Sequence, residues 1–128
     1  MEDRYLFRGK TISGEWVTGF LAVKDGKYYI SNKAGRPFAY EIRPETISQC
    51  TGLKDKNGEL IFENNIVRHY NKPSYPDDYV IGLIYFDKYN LNFKRTSKMH
   101  DTVGLMSDCI YEVIGNKFDN PELLEVQE

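Results

Sequence analysis

The residues here whose types invite chemistry are His69 and His100, Cys50 and Cys109, the pair Asp77-Asp78, and a run of cations between aromatics. Structural zinc sites use Cys-x-x-Cys or closely paired His spacings, and neither histidine has such a neighbour. His69 falls inside a strand-like pattern and His100 in a loop. A catalytic thiol needs a cation or a helix N-terminus to lower its pKa. Cys50 and Cys109 lie in or beside strand-like segments, where core packing explains them. A calcium loop needs several spaced oxygen donors, whereas Asp77-Asp78 is one pair beside Pro76 in a turn. The sequence contains no Gly-x-Gly-x-x-Gly, P-loop or Gly-x-Ser-x-Gly. The expectation is therefore no catalytic residue, no cofactor site and no metal site.

The segment from Lys88 to His100 is different. Lys88, Lys94, Arg95 and Lys98 occur without an acid and are interleaved with Tyr89 and Phe93. Cations that track phosphates, with rings that stack on bases, make a single-stranded nucleic-acid surface. The same residues also suit a lysine-protected edge strand, which sheets use against edge-to-edge pairing. Both readings stay open at this level.

Charge gives modest guidance. The chain has 128 residues, a net charge of −2, 41% hydrophobic and 28% charged residues. That balance counts mildly against general phosphate binding without excluding a local basic patch. No apolar run approaches the roughly 20 residues of a membrane-spanning helix, so no membrane partner is expected. Met1-Glu2-Asp3-Arg4 begins acidic and does not read as a signal peptide. Two distant cysteines then fit reduced thiols in a cytoplasmic protein.

The elements that must position these groups are mostly strands. Ten Tyr, seven Phe and one Trp favour pleated, half-buried surfaces. A first strand over residues 4–8, a second over 15–23 and a third over 27–31 form a meander. Asp25-Gly26 is the tight turn between the second and third, because both positions tolerate positive φ. Further strands are expected over 38–42, 47–53, 59–62 and 66–70. Asn57-Gly58 and Glu63-Asn64-Asn65 supply the turns among the last three. Tyr79 to Phe86 is apolar at odd and even positions, which predicts a central strand buried on both faces. Residues 91–95 and 110–114 complete the set, and Thr96 to Ser107, without a period, reads as loop. Gly19 and Gly82, inside strands, mark a bulge or a close approach of packed elements. Asn120-Pro121-Glu122 before Leu123-Leu124 predicts a short terminal helix. With no repeat or linker, the expectation is one domain over residues 1–128. Its class is all-β, mainly antiparallel, built as a small barrel or two packed sheets, with a short C-terminal helix.

Several ordered blocks carry a family likeness. Phe7-Arg8-Gly9-Lys10 with Gly14-Glu15-Trp16-Val17-x-Gly19 forms an opening block. Thr51-Gly52-Leu53-Lys54-Asp55-Lys56-Asn57-Gly58, continued by Ile61-Phe62-Glu63-x-x-Ile66-Val67, forms the centre. Tyr111-Glu112-Val113-Ile114-Gly115-Asn116 with Asn120-Pro121-Glu122-Leu123-Leu124 closes the chain. In these blocks the sequence resembles the YopX family of phage and prophage proteins. It departs at Asn64-Asn65, where the family usually carries Gly-Asp. The resemblance implies a mostly β domain, a phage or prophage source and self-association, and it carries over no catalytic residue.

The reading is a non-enzymatic accessory protein that acts through protein–protein contacts as a homo-oligomer; host or phage protein partners are not specified. The alternative is a nucleic-acid-binding module on the surface around Lys94 and Arg95.

Overall fold

The computed structural model describes residues 5–32, 39–70, 74–88, 92–96, 102–104 and 110–125. Their strands are β1 (Phe7–Lys10), β2 (Trp16–Lys24), β3 (Lys27–Asn32), β4 (Ala39–Ile42), β5 (Ser48–Lys54), β6 (Leu60–Phe62), β7 (Asn65–Tyr70), β8 (Tyr79–Asp87), β9 (Asn92–Thr96), β10 (Thr102–Gly104) and β11 (Ile110–Asn116). A 3-10 turn over Pro44–Thr46 and the helix α1 (Glu122–Glu125) complete the order. The protein is all-β, with two antiparallel sheets and one short C-terminal helix. Along the chain it divides into two compact units, residues 1–52 and 53–128.

In the first unit the strands run in the order β4-β3-β2-β1-β5. The β2–β3 hairpin turns at Asp25 (φ 53°) and Gly26 (φ 77°), the two positive φ values that Asp-Gly encodes. Leu21 lies opposite Ile30, and Ile30 opposite Tyr40, so one face of the sheet gathers the core. Ile30 and Ile42 are buried there. A bridge between Thr11 and Ile42 brings β4 back towards the end of β1. It is supported by Arg43 N–H donating to Lys10 O at 2.8 Å and Ile12 N–H to Glu41 O at 3.2 Å. This partial closure stops short of the closed barrel that was one of the two expected forms. Gly19 is a close approach and not a bulge: register with β3 is continuous, and a Cβ there would lie 1.8 Å from Ser31 O.

The second unit starts in the middle of β5, where the chain turns back into β6 through residues 55–59. Its sheet runs β10-β9-β8-β7-β11, and β8 is the central strand as expected, but it is not buried on both faces: Gly82 and Ile84 are buried on one, Tyr79, Ile81, Leu83 and Tyr85 are half-buried on the other, and Phe86 is exposed. Ile61, Val67, Ile84 and Tyr111 form its core, with Leu53 and Val113 packed against them. Two expectations about boundaries need correction. The first strand begins at Phe7 and includes Gly9 and Lys10. Thr102–Gly104, read as loop, is the short strand β10. Three residues are too few to show a period of two, and β10 is recognisable only by its pairing with Lys94–Thr96 of β9.

Candidate functional site

The turn between β5 and β6 is built around Asp55. Asp55 Oδ1 accepts the backbone N–H groups of Asn57 and Glu59, both at 2.9 Å, and Oδ2 accepts Val113 N–H at 3.0 Å. Lys56 N–H donates to Tyr111 O at 2.8 Å. β11 is the outer strand of its sheet, so Tyr111 C=O and Val113 N–H are groups that an edge would otherwise present outward. The turn supplies a carboxylate and one N–H in place of a further strand. Its conspicuous residues therefore serve backbone geometry.

The following turn uses its two asparagines differently. Asn64 takes the positive φ of 74°. Asn65 is buried, and its Oδ1 accepts Phe62 N–H at 2.7 Å. Asn64 tolerates the left-handed conformation, and the Asn65 amide oxygen serves as the acceptor.

Beside the Asp55 turn lies a charged cluster. Glu112 projects from β11, and its Oε1 accepts the Tyr70 hydroxyl at 2.8 Å. Arg68 lies 3.4 Å and Lys56 3.9 Å from the same oxygen. The Arg68 guanidinium stands 5.0 Å over the Tyr79 ring and the Lys56 ammonium 4.8 Å over the Tyr70 ring. Tyr70 and Tyr79 meet edge to face at 5.5 Å. Register explains the grouping, since Glu112 lies opposite Arg68 and Tyr70 opposite Tyr79. The Tyr70 hydroxyl, with Lys56 and Arg68, holds the Glu112 carboxyl below its ordinary pKa. A carboxylate stabilised in this way is a poor proton acceptor near neutral pH, so the cluster suits ionic contact better than general base catalysis.

The cationic segment is distributed over two faces. Lys94 lies opposite Tyr85 and pairs with Asp87, Nζ to Oδ2 at 2.7 Å, which raises the Lys94 pKa. Arg95, one residue on, points the other way, opposite Ile84 on the core face, and is only 2% exposed. Its Nε–H donates to His69 Nδ1 at 3.1 Å, and the His69 ring sits 4.6 Å from that of Tyr111. Gly82 makes room for it: a Cβ there would lie 2.5 Å from Arg95 Cδ and 1.8 Å from Thr96 O. Phe93 shares the Arg95 face and meets Phe86 edge to face at 5.2 Å. Lys88 is exposed at the end of β8. Tyr89, Lys98, His100 and Cys109 lie outside the described residues. The edge-strand reading of this segment does not hold, because β10 pairs along the outer side of β9.

The alternation rule carried the signal for Arg95. Adjacent strand residues face opposite sides, so Lys94 and Arg95 cannot share one binding face. The Glu112 cluster had no such signal, since Lys56, Arg68 and Glu112 come from separate segments joined by register. A second stacked cation pair occurs in the first unit, where Arg8 lies 4.1 Å and Lys10 5.5 Å from the Trp16 ring centroid. Cys50 is fully buried, in keeping with a packing role. Tyr75, Pro76, Asp77 and Asp78 line an open depression of about 450 Å³. Among the described residues no group of three or more His, Cys, Asp or Glu side chains converges as a metal site would require. No described helix is long and apolar enough to cross a membrane.

Fold and site together define an all-β protein whose polar clusters brace sheet edges and faces. The chain belongs to the YopX family: the family model described as "YopX protein" matches residues 11–125. Among solved structures it is similar to protein EF1440 from Enterococcus faecalis. That likeness has 24% identity and a TM-score of 0.52, covering 94% of this chain and 96% of that one, and it concerns the fold. No curated protein matches the chain.

Proposed function

We propose that this chain is a phage- or prophage-encoded accessory protein of the cytoplasm, non-enzymatic, which acts through protein–protein contacts as a homo-oligomer. The observation that carries the reading is a set of large apolar side chains left exposed in the first unit. Val23 is 61%, Tyr40 51% and Ile12 56% exposed. Val23 and Tyr40 lie on the sheet face that also carries the buried Ile30 and Ile42, through the Leu21–Ile30–Tyr40 and Val23–Tyr28–Ile42 rows. Large apolar side chains left in solvent favour a contact surface. Family membership supports the phage source and the self-association.

Light scattering during size-exclusion chromatography tests the oligomer. The expected result is a mass above one chain that falls towards the monomer in Val23→Ser/Tyr40→Ser. A monomer at every concentration overturns the reading.

The nucleic-acid alternative, through Lys88, Tyr89, Phe93, Lys94, Arg95 and Lys98, has less support. Asp87 already neutralises Lys94, and Arg95 faces the core. It requires single-stranded DNA binding that weakens steeply with salt and is lost in Lys88→Glu/Lys94→Glu. Absence of binding at low salt removes it.

A further inference from the structure

We infer that Asn57 is a site of spontaneous covalent modification, at which the turn between β5 and β6 converts its carboxamide to aspartate and isoaspartate. Water is the only co-reactant. The reaction needs a backbone nitrogen with little shielding on its C-terminal side, and Asn57-Gly58 is the single Asn-Gly step in the sequence. Gly58 has no side chain over its nitrogen, and its φ of +83° places it at an exposed tip where nothing lies within 4 Å of a Cβ position. Asn57 is exposed as well, and the one hydrogen bond shown for it is that of its backbone N–H.

Three other described asparagines at strand ends and loops are protected in distinct ways. Asn65 is buried with its amide oxygen engaged by Phe62 N–H. The Asn116 amide oxygen accepts Phe118 N–H and Asp119 N–H, each at 3.0 Å. Asn120 precedes Pro121, which has no N–H to become a nucleophile. Two hydrogen bonds restrain this step, Asn57 N–H to Asp55 Oδ1 at 2.9 Å and Gly58 N–H to Asp55 O at 3.0 Å, and the reaction needs only the second to open.

In the first step hydroxide removes the Gly58 amide proton. The nitrogen lone pair then attacks Asn57 Cγ and forms the ring C–N bond. The tetrahedral centre collapses and expels the side-chain nitrogen, which leaves as ammonia with a proton from water. Water then adds to either carbonyl of the cyclic imide, and the ring opens to aspartate or isoaspartate. The net change is loss of ammonia and gain of water.

The consequence reaches β11. A new carboxylate appears two residues from both Asp55 and Glu59, and the isoaspartate form lengthens the backbone inside the Asp55–Gly58 turn. That turn holds Val113 N–H and Tyr111 C=O. Modification is expected to loosen the cover of this strand edge.

Incubation of the purified full chain, followed by peptide mapping that separates aspartate from isoaspartate, tests the site. The expected result is conversion concentrated at Asn57, faster in mildly alkaline than in mildly acidic buffer, with both products present. It should be lost in Asn57→Gln, an exposed change that leaves the Asp55 contacts intact. Hydrogen exchange of the modified fraction should show faster exchange at Val113. Two outcomes overturn the inference. One is conversion at Asn57 in urea-unfolded chain but not in folded chain, which would mean that the turn locks the amide. The other is earlier conversion at a different asparagine.

Discussion

A carboxylate that accepts three backbone N–H groups stabilises them as a set, because each would otherwise lose its partner together with the others. Asp55 is in that position, buried and bonded to Asn57, Glu59 and Val113. Leaving a buried donor without a partner costs about 1–3 kcal/mol. Asp55→Ala should therefore lower stability by roughly 3 kcal/mol, with relaxation and water recovering part of the loss. Asp55→Asn, which retains one acceptor oxygen, should lose less. Urea denaturation of both variants measures the difference, and equal losses would contradict the acceptor account. Glu112 makes a prediction about pH. Its folded pKa lies below the ordinary value, so its contribution is complete above the unfolded carboxylate pKa and disappears as pH falls through the folded one. Glu112→Gln should be less stable than the parent at neutral pH, and the gap should close in acid. A gap independent of pH would point to packing in place of charge.

At the scale of elements, the short turns bear more of the fold's specification than the strands do. Asn65 is a clear case, since its amide oxygen holds Phe62 N–H between β6 and β7. Asn65→Asp keeps an acceptor and should be tolerated, whereas Asn65→Leu should cost about 1–3 kcal/mol by leaving that N–H without a partner. Thermal midpoints of the two variants separate these cases. β8 offers a second test. Gly82→Ala would put a methyl group against Thr96 O and the Arg95 stem, so it should destabilise far beyond the ordinary small cost of alanine in a strand. The expected change is a large fall in the urea midpoint. A near-neutral result would mean that β8 and β9 can separate there. The terminal helix shows how local signals are diverted. Asn120 stands where a cap belongs, yet its side-chain oxygen accepts Asn116 N–H at 3.2 Å and ties the helix approach back to β11.

At the scale of the whole molecule, each unit carries its own buried residues, Ile30 and Ile42 in the first and Ile61, Val67 and Ile84 in the second. We propose that they fold as one domain. Ile30→Ala and Ile84→Ala each remove a fully buried side chain and should each cost about 2–5 kcal/mol. In one cooperative domain either substitution lowers a single calorimetric transition. Two transitions, each moved by only one of the substitutions, would make the units independent.

What could be read from the residues depended on the range over which their physics acts. Positive φ at Asp25-Gly26, the central apolar run of β8 and the antiparallel all-β class follow from local sterics and a period of two, and the sequence by itself determined them. Alternation also places Lys94 and Arg95 on opposite faces, while only the tertiary structure decides that Arg95 is the one turned inward. Other features depended on register between segments far apart in the chain. The short strand β10, the Glu112 cluster on three separate segments, and the reach of Asp55 to Val113 have no local cause. Hydrogen bonding between those segments creates them, so only the tertiary structure decided them.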